Sequence, residues 1–153
     1  MDVIINVNKM RVYDEVAKTT SYIGAKMPDA ESYDHMFTTD EDRLMLERFW
    51  TEAASGATEQ LKPFVSSVAP QQVSQRIDIE SDYTVRLNIS GRFNTAMQES
   101  METSLFSYFV NFVISRWCRL TYAEAEAAYM ADAAGALSDV MRKLYFKKKP
   151  TRP

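Results

Sequence analysis

The chain has 153 residues, 46% of them hydrophobic and 25% charged, with a net charge of −3. That length suits one domain and that composition an ordinary globular protein, which sets disorder aside. One cysteine, Cys118, excludes an internal disulfide,. No run of 18 apolar residues is present, so no membrane span is expected,. The start, Met1-Asp2-Val3-Ile4-Ile5, has no basic segment leading into a long apolar one, so no signal peptide is expected and a cytoplasmic or virion location fits,.

The charge is unevenly spread. From Arg142 onward there are six basic residues and no acidic one, which leaves a body of −9. An acidic body with a basic tail bears on partners rather than on fold.

Residues 2–7 read as a short strand with Val3, Ile5 and Val7 on one face,. A helix is predicted from about Lys9 to Ile23, with Val12 and Val16 on its apolar stripe, Asn8 as its cap and Gly24 as its end,. Residues 24–38 read as a loop,. A capping box at Thr38-Thr39-Asp40-Glu41, with Thr38 and Glu41 as the reciprocal pair, opens a second helix,. That helix carries Leu46, Trp50, Ala53, Ala57, Leu61 and Phe64 at helical spacing, and Pro63 ends it,.

Residues 73–79 and 83–89 alternate strictly between apolar and polar, which predicts a β-hairpin spanning 73–90 with one wet face,. A lone hairpin is marginal in water, so it must lie on the helices, pair with the N-terminal strand or join a partner. A third helix starts near Thr95, with Thr95 and Gln98 as its capping box,. Ten of the fourteen residues from Leu105 to Cys118 are apolar, so this helix should be surrounded and form the core,. The fourth restarts at Thr121-Tyr122-Ala123-Glu124 and carries Tyr122, Ala125, Tyr129, Ala133, Leu137, Val140 and Leu144 on one side,. The expected fold is mainly α with a small β element (α+β): about four helices around a buried central helix, plus the hairpin. Residues 1–146 form the single domain and 147–153 a basic tail.

No catalytic, cofactor or metal constellation is legible. His35 is the only histidine and stands in a polar loop, while Cys118 falls in the core helix, so a Cys–His pair is not expected,. The four glycines are too scattered for a phosphate-binding loop or a nucleophile elbow,. Among carboxylates, Asp40-Glu41-Asp42 suits a helix N-terminus, and Asp78 and Glu80 share a strand face with Arg76 and Arg86 as cross-strand partners,. The binding candidates are therefore basic: Arg76, Arg86 and Arg92 around the hairpin, and Lys147, Lys148, Lys149 and Arg152 in the tail.

Four stretches carry a family likeness: Tyr13 to Thr20 (YDEVAKTT), Phe37 to Arg43 (FTTDEDR), the hairpin, and Asp139 to Tyr145 (DVMRKLY) ahead of Lys147-Lys148-Lys149-Pro150. Together they resemble small virion proteins of tailed phages and prophages of gut bacteria, most of all head–tail connector (adaptor) proteins. The resemblance implies a non-enzymatic protein at the virion neck, forming a homo-oligomeric ring that meets portal and tail proteins. DNA would pass through the channel without sequence-specific contact. Such connectors are chiefly helical, and the hairpin departs from that plan, which keeps tail-completion and other neck proteins in view. Two further classes stay open: a nucleic-acid-binding accessory protein using the basic tail, and a carboxylate-metal enzyme at Asp78 and Glu80.

Overall fold

The computed structural model describes residues 1–27, 36–68 and 82–145. In chain order the elements are β1 (Asp2–Val7), α1 (Lys9–Ala25), α2 (Arg43–Leu61), β2 (Val65–Val68), β3 (Tyr83–Asn88), α3 (Gln98–Thr121) and α4 (Ala123–Leu144), with short 3-10 turns at Asp40–Asp42 and Thr95–Met97. The fold is mainly α with a small antiparallel sheet. α3 is the central helix and touches α1, α2, α4 and β1.

The sheet order is β1-β3-β2. Val3 pairs with Leu87, Ile5 with Val85 and Val7 with Tyr83, so the inward positions of β1 and β3 meet face to face. All six are buried, as strict alternation requires of a sheet with one dry face,. On the wet face Asn6 Nδ2 donates to Thr84 Oγ1 at 2.7 Å. β3 therefore has both edges filled, one by the N-terminal strand and the other by β2. The predicted first hairpin arm, 73–79, lies outside the described residues. β2 has no counterpart in the sequence reading: Val-Ser-Ser-Val is short and carries a register shift between Val65 and Ser67,.

Helix starts are where local pattern and structure part. Asn8 caps α1 as expected, accepting from Arg11 N at 2.9 Å. Gly24 does not end α1, which runs on to Ala25 and closes without a left-handed residue. The box before α2 sits one residue later than predicted: Asp42, not Glu41, accepts from Thr39 N at 2.9 Å. Thr38 is instead buried, its N–H donating to Thr20 Oγ1. Asn94, not Thr95, caps the turn into α3, and Gln98 donates away from it to Ile4 O at 3.0 Å. Thr121 does not cap α4 either; its hydroxyl bonds back to Trp117 O. Ahead of α2 and α3 a neighbouring polar side chain takes the capping role, whereas α4 starts without a side-chain cap,.

The core is aromatic at its centre. Phe109 is fully buried, with its ring 4.4 Å from Trp50, 5.1 Å from Tyr83 and 5.4 Å from Tyr108. Of the ten apolar residues from Leu105 to Cys118, eight are buried, while Phe106 and Phe112 are only partly covered. α2 and α3 approach closely at Gly56. A Cβ there would lie 2.6 Å from Tyr108 Oη, which donates to Ala53 O at 2.8 Å. Alanine normally gains about 1 kcal/mol over glycine inside a helix. Here Gly56→Ala should instead destabilise by about 1–3 kcal/mol through overpacking, and Tyr108→Phe in the same chain should relieve it. Urea midpoints of the three variants check this, and a stabilised single variant would refute the close approach.

Candidate interaction surface

A groove of about 950 Å³ runs between α2 and the second half of α3. One wall carries Met45, Arg48, Glu52 and Glu59; the other carries Phe112, Arg116, Arg119 and Leu120. These residues meet because the two helices pack together, Arg116 reaching Glu52 and Tyr108 reaching Ala53. Leu120 is 60% exposed and Met45 38%. Scattered exposed hydrophobes are normal on a protein surface, but two on the walls of one groove mark a candidate contact site,.

The electrostatics are organised by one carboxylate. Glu52 lies 3.5 Å from Arg48 Nε and 3.4 Å from Arg116 Nε. The Arg116 Nε is shielded from solvent but not aligned to hydrogen bond with it. Arg116 also lies over the Phe112 ring, 5.1 Å from its centroid,. Arg119 is 63% exposed in its side chain and reaches Glu126 only at 4.0 Å. Three arginines thus line an apolar groove on a chain whose body is acidic.

A smaller recess of about 550 Å³ lies beside β1 and is lined by Asn6, Asn8, Arg11, Glu99, Glu102 and Phe106 among others. Side chains of α3 cover the outer edge of β1 here: Gln98 donates to Ile4 O, and Glu102 accepts from Asn6 N at 3.4 Å. Two residues four apart on α3 so satisfy edge groups that would otherwise template another strand.

The residues singled out from sequence fall elsewhere. Arg86 is on the wet face of β3, half exposed and 3.9 Å from Asp2. Arg92 is exposed in the turn after β3, its N–H bonded to Ser90 Oγ. Neither lines the groove. Arg76, Lys147, Lys148, Lys149 and Arg152 lie outside the described residues, as do His35, Asp78 and Glu80. Sequence reading missed Arg48, Arg116 and Arg119, although Arg116 interrupts the apolar run Ile114–Cys118 and was the one available signal.

No family model, curated protein or solved structure matches this chain. Among the described residues, no helix is long and apolar enough to cross a membrane. Nor do any three His, Cys, Asp or Glu side chains among them form a group that could hold a metal ion.

Cys118 is fully buried, and burial, with Glu126 adding to it, pushes its thiol up to about 11. At neutral pH it is an inert core thiol. Burial likewise raises the phenols of Tyr13, Tyr83 and Tyr108. Folding therefore holds protons that the unfolded chain releases above its ordinary thiol value of 9.0. The unfolded state binds fewer protons there, so stability is retained below about pH 9 and falls as pH rises towards 11. Urea midpoints at pH 8 and pH 10.5 test the sign, and an unchanged or higher midpoint at pH 10.5 contradicts it.

Proposed function

We propose that this chain is a phage virion structural protein of the head–tail connector type, assembling into a homo-oligomeric ring between portal and tail. The observation that carries the reading is the groove between α2 and α3, where Met45 and Leu120 lie exposed among Arg48, Arg116 and Arg119. An apolar centre rimmed by arginine is the composition of a protein contact. The chain before Arg142 carries a net charge of −9, so a second copy of the chain is a partner that the arginines would attract,. A ring requires two different surfaces that complement each other, one on each side of the subunit. The resemblance of residues 13–20, 37–43 and 139–150 to connector proteins supports the same reading. An acidic body would also let DNA pass through the channel without adhering, since phosphates are repelled by it.

At the groove Glu52 stands beside Arg48 and Arg116, and Glu126 lies 4.0 Å from Arg119. Light scattering on the purified chain, alone and with a portal protein, tests the proposal. A mass of many subunits, or assembly upon the portal, is the expected result. A strict monomer at high concentration that ignores the portal overturns it.

A further inference from the structure

We infer that the groove receives the first turns of α3 from a second copy of the chain, so that subunits join end to end through one helix. This rests on the assembly reading and specifies its contact. α3 is polarised along its length. Glu99 and Glu102 stand at its start beside Phe106, and Arg116 and Arg119 stand at its end beside Phe112 and Leu120. Each acid has an arginine 17 residues later, Glu99 with Arg116 and Glu102 with Arg119. The two acids are three apart, about one helical turn, as are the two arginines, so both sets present the same spacing,.

The helix dipole accounts for the signs at the two ends. It does not account for the apolar neighbours, which at each end include a half-covered phenylalanine: Phe106 under Arg11, Phe112 under Arg116. The 24-residue α3 is about 36 Å long, so acids and arginines on one subunit are about 25 Å apart and cannot satisfy each other,. A neighbour can. Glu99 and Glu102 of one copy match Arg116 and Arg119 of the next in charge and spacing, and the match repeats at every junction. Such a contact is heterologous and closes into a ring when the rotation between subunits allows it.

The test uses charge reversal in the full-length chain, with circular dichroism confirming the fold. Arg119 and Leu120 are exposed, so Arg119→Glu with Leu120→Asp should leave the subunit folded and weaken association by at least about tenfold,. Glu99→Arg should weaken it likewise, and Glu99→Arg combined with Arg119→Glu should restore it. If Arg119→Glu with Leu120→Asp disturbs the fold, Arg119→Gln should still reduce the salt dependence of association. Variants that keep the wild-type mass overturn this contact while leaving the assembly reading standing. Loss of assembly in both single reversals with no restoration in the combination also overturns the pairing. A wild-type chain that never assembles removes both.

Discussion

Replacing Lys9 by methionine should cost about 3–5 kcal/mol of stability, and replacing Glu47 by leucine in the same chain should return most of it. Lys9 begins α1 and is 2% exposed; Glu47 lies on α2 and is 8% exposed. The two form an ion pair inside the protein, with the ammonium 5.8 Å from the centre of the Tyr13 ring. Removing one partner leaves the other charge buried without compensation, which is the costly change. Removing both exchanges an ion pair for apolar contact of similar volume and is close to neutral. Out of a total of about 5–15 kcal/mol, the single substitution is large enough to leave much of the chain unfolded near its melting range. Urea unfolding of the two single variants and the double variant gives the coupling directly. A single Lys9→Met within about 0.5 kcal/mol of the wild type would mean that the pair is solvated rather than buried.

Phe109→Ala should be comparably damaging, at about 3–5 kcal/mol, because its ring fills the space between Trp50, Tyr83 and Tyr108,. The loss combines transfer of the ring with a cavity that α2, β3 and α3 border together. All three are held by other contacts, so the cavity can collapse only in part. Phe106→Ala is the matched control: the same chemistry on the same helix, but half covered at the recess beside β1. Its cost should be clearly smaller. Equal losses at the two positions would show that helix propensity, not burial, sets the effect. The near-ultraviolet circular dichroism of Trp50 and Tyr83 should flatten in Phe109→Ala and persist in Phe106→Ala, since only the first releases their packing.

Both predictions depend on features of different legibility. Phe109 stands in a run of apolar residues too dense to leave a polar face, so its burial follows from composition alone,. Lys9 and Glu47 look like ordinary surface charges in sequence, because lysine and glutamate are rarely buried. They become a buried pair only because α1 and α2 pack together at that level. The same holds for the groove. Arg48, Arg116 and Arg119 are separated by up to 71 positions, and no local pattern says that they face one space. The basic residues that sequence does cluster, Lys147 to Arg152, follow one another along the chain and are visible for that reason alone.

The sequence by itself determined the mainly α class, the faces of β1 and β3, the span of α2 to within a few residues and the central burial of α3. It did so because periodicity of 2 or 3.6 reports which side of an element is dry, and that information is local. Tertiary structure decided which strand flanks β3 opposite β1, which polar groups cap the helices, the Lys9–Glu47 pair and the arginine groove. Each of those depends on distances between residues far apart in the chain, set by how whole elements pack, and neighbouring residues do not encode such distances.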